Sequence, residues 1–139
     1  MVDELDIKII TAMENDPDAS IEQMAKSIGV SKGTIRNRII KLKEEQIVIG
    51  SSLKVKWRAL GMDEVYLGLD IMPELYLRVL DSVKEYDFVK KLFSTSGDHS
   101  AIAYVVAESS KIRDNIAQIE GIQGVVKTYP AFVTNIIKW

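Results

Sequence analysis

Residues 28 to 42 read IGVSKGTIRNRIIKL, a stretch in which isoleucines stand among cations and amides. Its apolar positions follow the three- and four-residue spacing of one helix face: Ile35, Ile39 and Leu42. Ser31 precedes them as a helix-capping residue, and Gly29 suits the left-handed end of an earlier helix. So short a connection forces a steep crossing between two helices. The stretch therefore predicts the turn and second helix of a helix-turn-helix.

Residues before this stretch predict two more helices. Their apolar residues again have helical spacing: Val2, Leu5, Ile9 and Met13, then Ile21, Met24, Ala25 and Ile28. We expect Asp3 to cap the first helix and Pro17 to prevent its continuation. Ser20 and Gln23 predict a capping box at the start of the second. These helices define an N-terminal helix-turn-helix domain at residues 1–50.

After the third helix the apolar period changes to two. Residues 47–49 and 53–57 predict two short strands around a turn, which would make the helix-turn-helix winged. A strand linker is expected at residues 51–61. Lys54, Lys56 and Arg58 lie there; they suit either contact with a nucleic-acid backbone or protection of an edge strand.

The second half, residues 62–139, predicts strand-helix-strand twice, a ferredoxin-like βαββαβ domain. The expected strands are 65–71, 88–95, 101–107 and 125–137. One expected helix begins at residues 72–74, and the other is capped by Ser109 or Ser110. The fold class is thus α+β. Its strands and helices present more apolar surface than one small domain can bury, so we expect a homo-oligomer.

Charge is distributed unevenly along the chain. Residues 31–58 carry eight cations and two acids, a local charge of +6, although the whole chain has a net charge of −2. A local positive field suits phosphate contacts. The alternative is an ordinary solvated helix face.

The third helix supplies the candidate DNA-binding residues. With its isoleucines inward, most of the polar residues lie opposite. Arg36 could donate twice to guanine and Asn37 could pair with adenine. Gly33 would allow close approach, whereas lysine and threonine suit phosphates. The full predicted set is Ser31, Lys32, Gly33, Thr34, Arg36, Asn37, Arg38 and Lys41.

Composition argues against several other functions. The chain has no cysteine and one histidine, so disulfides, thiolate metal sites, a cysteine nucleophile and a histidine-rich metal site are excluded. We expect no catalytic residue, metal or cofactor. No apolar run is long enough to span a membrane, and acids occupy the first residues where an export signal has cations. A cytoplasmic location is expected.

Three stretches resemble the leucine-responsive regulator/asparagine regulator (Lrp/AsnC) family of prokaryotic transcription factors. VDELDIKIITAM at 2–13 is similar to the family's L-D-x-x-D-x-x-I-L-x-x-L, and SIEQMAKSIGVS at 20–31 to its S-x-x-E-L-A-x-x-V-G-L-S. TIRNRIIKLKEEQIVIG at 34–50 is similar to its recognition helix and exit. The resemblance covers essentially the whole chain.

This resemblance implies a dimeric regulator that binds double-stranded DNA, commonly assembles into octamers, and has an amino-acid effector. The recognition helix would be residues 31–41. The effector-binding residues would be those of the family's sensing loop: Gly97, Asp98, His99 and Ser100. For His99 itself, an ordinary polar residue of a hairpin loop is the favoured interpretation.

The chain departs from the family pattern at three positions. Gln46 replaces a glycine, so it must adopt a left-handed conformation or the helix must end differently. Ile40 replaces a cation, which removes one phosphate contact. Ser100 replaces an aspartate and cannot offer a charge to an ammonium group.

We predict a sequence-specific transcription regulator. One alternative is a DNA-organising protein with weak sequence preference. Another is an enzyme like the siroheme decarboxylases that share this two-domain shape. Such an enzyme would need several histidines or arginines around the tetrapyrrole, whereas the cations here gather on the helix-turn-helix.

Overall fold

A computed structural model describes residues 1–139 and divides them into two units, Met1–Leu53 and Lys54–Trp139. The helices and strands are α1 Glu4–Asn15, α2 Ile21–Ile28, α3 Lys32–Glu44, β1 Met62–Ile71, α4 Tyr76–Val83, β2 Val89–Ser94, β3 Ala101–Glu108, α5 Ile112–Glu120 and β4 Val125–Phe132. Short 3-10 helices span Trp57–Leu60 and Pro73–Leu75. None of the helices is both long and apolar enough to cross a membrane.

The first unit contains the three predicted helices with the predicted caps. Asp3 and Ser20 each form a capping box, with Asp6 and Gln23 respectively. The apolar stripes meet in a small core centred on Ile9, Met24, Ala25 and Ile35. The helix-turn-helix is thereby confirmed.

The second unit is a four-stranded sheet of order β2-β3-β1-β4, with every neighbouring pair antiparallel. Each strand-helix-strand segment skips one strand, as in a ferredoxin-like fold. Residues of α4 and α5 join alternate strand residues in one core, for example Val79 and Ile116 with Leu67. Both helices therefore cover the same face, and the predicted ferredoxin-like topology is confirmed.

The other face of the sheet carries the alternate side chains. Tyr66 and Tyr104 lie side by side there, with ring centroids 4.9 Å apart. Tyr66, Phe93 and Tyr129 are between about a third and a half exposed. Burial raises the pKa of Tyr104, as does its hydrogen bond to Glu64. This face is aromatic, and neither α4 nor α5 covers it.

Three local predictions are wrong. Residues 47–57 form no strands, so the predicted wing is absent. The backbone N–H groups of Ile47 and Val48 instead donate to the carbonyl of Leu42, at 2.9 and 3.1 Å, and close the end of α3. Because these two N–H groups bond to Leu42, they are not available to pair residues 47–49 with a second strand.

The other two errors lie in the second unit. No serine caps α5, which begins after Lys111; the hydroxyl of Ser109 donates to Gly61 instead. β4 ends at Phe132, not at residue 137. Since Phe132 faces Val65, Ile137 would face Leu60, which lies in a 3-10 helix and offers no strand to pair with.

Candidate nucleic-acid interface

The connection between α2 and α3 sets the position of the candidate helix. Gly29 ends α2 with φ +87°, a left-handed conformation that glycine adopts without strain. Two residues later, the Ser31 hydroxyl accepts a hydrogen bond from the backbone N–H of Thr34 at 3.1 Å. It also bonds the Thr34 hydroxyl at 2.9 Å. These contacts fix the first turn of α3.

The two sides of α3 differ sharply in burial. Ile35 and Leu42 are 0% and 2% exposed, and Ile39 packs against the core of the first unit. The exposed side contains most of the predicted contact residues: Ser31, Lys32, Gly33, Arg36, Asn37 and Lys41. Thr34 and Arg38 are half-buried at its margins. The structure therefore brings the predicted residues together on one helix, six of them on the open side.

Two lysines on the exposed side of α3 form ion pairs that are too weak to prevent them from binding phosphate. Lys32 lies 3.7 Å from Glu22, and Lys41 lies 3.9 Å from Glu45. Both pairs are largely solvent-exposed, and exposed pairs of this kind are weak. A phosphate can therefore displace either carboxylate.

Arg38 differs from the other cations of α3. Its Nη1 donates to Asp3 at 2.6 Å and to Asp6 at 3.2 Å, both at the start of α1. The hydrogen bond from Arg38 lowers the pKa of Asp3 to about 2, with help from the backbone N–H of Asp6. Asp6 is 2% exposed, so Arg38 neutralises a buried carboxylate. Arg38 therefore joins α3 to α1.

Sequence reasoning missed Asp3 and Asp6 as partners of a recognition-helix arginine. It also gave no binding role to Ile40, which is 48% exposed on α3. The signal for the first was two acids in the opening turn of α1. The signal for the second was an isoleucine outside the buried stripe.

The predicted effector loop lies between β2 and β3. The Ser100 hydroxyl donates to the Leu69 carbonyl at 3.0 Å and accepts from the Ile71 N–H at 3.1 Å. Both bonds tie the loop to β1. Ser100 therefore serves the fold, whereas Gly97 and Asp98 are exposed at the tip of the loop.

His99 packs on the sheet face opposite α4 and α5. Its Nδ1 lies 3.2 Å from Asp70 Oδ1, and its ring centroid is 4.5 Å from that of Tyr129. A Cβ added to Gly68 would come within 2.6 Å of the His99 ring, so any larger residue there would force the ring to move. No group of three histidine, cysteine or acidic residues could hold a metal ion.

Comparisons with known proteins agree with this geometry. The model of the AsnC-type helix-turn-helix domain matches residues 2–43. The HTH-type transcriptional regulator LrpA of Pyrococcus abyssi is 33% identical over 99% of this chain and 100% of its own length. LrpA1 of Halobacterium salinarum is 32% identical, covering 94% of each chain.

Solved structures show the same fold. Escherichia coli AsnC superposes with a TM-score of 0.78 at 24% identity, covering 100% of this chain and 96% of that one. The transcriptional regulator NMB0573 of Neisseria meningitidis, solved in complex with L-Met, gives a TM-score of 0.82 at 15% identity, over 100% and 94% of the two chains.

Proposed function

The chain belongs to the Lrp/AsnC family of DNA-binding transcription regulators, and we propose that it reads a specific duplex sequence with the exposed side of α3. One observation carries the proposal: cations and amides occupy the solvent side of α3, directly opposite the buried Ile35 and Leu42. In a helix-turn-helix the second helix enters the major groove, with its N-terminal residues at the base edges.

The residues divide into three roles. Arg36 and Asn37 contact base edges, as guanidinium and amide groups can do with two hydrogen bonds each. Gly33 lets the helix approach closely. The phosphate contacts come from the remaining exposed or marginal residues: Ser31, Lys32, Thr34 and Lys41. Arg38, held by Asp3 and Asp6, positions α3 and does not contact DNA.

The regulator acts as a homodimer in the cytoplasm, and dimers assemble further into an octamer. A second copy covers the uncovered sheet face, where Tyr66, Phe93 and Tyr129 are exposed. Aromatic side chains of this kind are enriched in protein interfaces. Two copies related by a two-fold axis would present two α3 helices to two half-sites.

An amino-acid effector modulates DNA binding through the loop at residues 97–100. The Neisseria regulator in complex with L-Met supports this class of ligand. Since both hydrogen bonds of the Ser100 hydroxyl go to β1, the exposed Asp98 is the loop's carboxylate for an ammonium group. DNA affinity measured with and without each amino acid tests this part: no change with any of them would contradict it.

Two alanine variants test the assignment of α3. Arg36→Ala should weaken binding to the selected site about 5- to 150-fold per half-site, as expected for loss of one bidentate base contact in each, and weaken binding to random DNA much less. Lys41→Ala should weaken both equally, because a phosphate contact carries no sequence information. Fluorescence anisotropy at fixed salt measures both.

Lys111 provides the control, because it is an exposed lysine outside the helix-turn-helix that pairs only with Glu108 at 3.6 Å. Lys111→Ala should leave both affinities unchanged. If Arg36→Ala and Lys41→Ala both bind like the unchanged protein, α3 is not the reading helix.

A further inference from the structure

Ile40 lies in the middle of the exposed side of α3, and no step of the proposed function uses it. Its side chain is 48% exposed and belongs to no buried cluster, unlike Ile39 beside it. Because each residue advances about 100° around a helix, Ile40 shares its side of α3 with Gly33 and Asn37. It therefore stands among the residues expected to face the bases.

Cations border this strip on both sides, and the one charged residue within it is Glu44, in the last turn of α3. By the same helical spacing Lys32 and Lys43 lie along one edge and Lys41 along the other, with Arg36 between the first edge and Ile40. A helix in the major groove, which is about 12 Å wide, turns its edges toward the two phosphate backbones and its middle toward the base pairs. The strip of Gly33, Asn37 and Ile40 is thus directed to the floor of the groove.

An isoleucine at that place has one kind of partner. Its side chain neither donates nor accepts hydrogen bonds, so it cannot read the polar edge of a base. The apolar group that a base pair presents in the major groove is the C5-methyl of thymine. A β-branched side chain in a helix keeps one strongly preferred χ1 rotamer, so its methyl groups are already positioned before DNA binds.

We propose that Ile40 determines specificity by packing against a thymine methyl in each half-site. The proposal rests on the assignment of α3 as the recognition helix. Single exposed isoleucines are common on protein surfaces, so position on α3, rather than exposure, carries the argument. Ile47 supplies the comparison: it is 44% exposed but lies beyond the end of α3.

Replacing single thymines by deoxyuridine in the selected site tests the proposal, because this change removes only the methyl group. The unchanged protein should bind about fourfold more weakly at one thymine position per half-site, the loss expected for one buried methyl. Ile40→Gln should bind the thymine and uracil forms equally. Ile40→Val should keep the dependence, and Ile47→Gln should match the unchanged protein. Anisotropy titration of these four proteins against the thymine and uracil forms gives the affinities.

Several results would overturn the proposal. These are a selected half-site without thymine, no loss with any uracil, full methyl dependence in Ile40→Gln, or loss of that dependence in Ile47→Gln. In each of these cases α3 still reads the sequence and only the role of Ile40 fails. If the unchanged protein selects no sequence at all, the proposed function fails first and this inference with it. Should Ile40→Gln disturb the helix, seen as lost circular dichroism, Ile40→Ala replaces it with the same expectation.

Discussion

Arg38 lies in the same turn of α3 as Arg36 and Asn37, yet its guanidinium bonds Asp3 and Asp6 of α1. Its hydrogen bond keeps the pKa of Asp3 near 2, below the ordinary value of 3.8. A lowered pKa means that the folded state favours the carboxylate. The resulting stabilisation is complete above pH 3.8 and is lost as the pH falls toward 2.

The positioning role of Arg38 predicts a particular salt dependence. Arg38→Gln should weaken binding to all DNA sequences, because α3 loses its link to α1. The slope of log affinity against log salt should stay unchanged, since no phosphate contact disappears. Lys41→Ala should reduce that slope by about 1.8, because each of the two subunits loses one phosphate contact that contributes about 0.9. Titrations at several salt concentrations measure both slopes, and an equal reduction in Arg38→Gln would mean that Arg38 contacts phosphate.

The sequence predicts helix caps, which depend on neighbouring residues, but it does not predict ion pairs between residues far apart in the chain. Asp3, Ser20, Gly29 and Ser31 act within one turn of their own helices, so their caps could be predicted. Arg38 and Asp3 are 35 residues apart along the chain. Whether such a pair meets depends on how α1 crosses α3, which the apolar spacing does not specify.

The end of α3 shows how one residue changes the next element. Gln46 has φ +56°, and it is the single residue other than glycine in this region of backbone space. This conformation brings the N–H groups of Ile47 and Val48 to the Leu42 carbonyl. The left-handed alternative considered for Gln46 is thus the one observed, and it accounts for the missing wing. Two short strands alone are also marginally stable.

Gln46→Gly should stabilise the helix-turn-helix by about 0.5–1 kcal/mol. Relief of left-handed strain favours the variant, while the greater freedom of glycine in the unfolded chain offsets part of the gain. Urea unfolding followed by circular dichroism measures the difference. Gln46→Ala is the matched control and should show no gain, because alanine keeps the Cβ. Equal stabilisation by both variants would show that φ at residue 46 is not the cause.

At the scale of the whole molecule, the order of strands and helices predicted the topology of the second unit. Two strand-helix-strand segments interleave in one antiparallel sheet, and core residues of both helices lie on one side. The number of subunits could not be predicted in the same way. The alternation of residues along a strand indicates which side chains lie on each face of the sheet. It does not indicate what covers the face opposite α4 and α5.

A symmetric dimer makes the central claim testable in one measurement. Selection from random DNA, with the unchanged protein and with Asn37→Ala, reports which sequence α3 reads. The unchanged protein should enrich an inverted repeat whose half-site centres are about 10 base pairs apart, or a multiple of that spacing. Asn37→Ala should lose the preference at one position of each half-site and keep the rest. Enrichment of no repeat, or of the same motif by both proteins, would contradict reading of the duplex by α3.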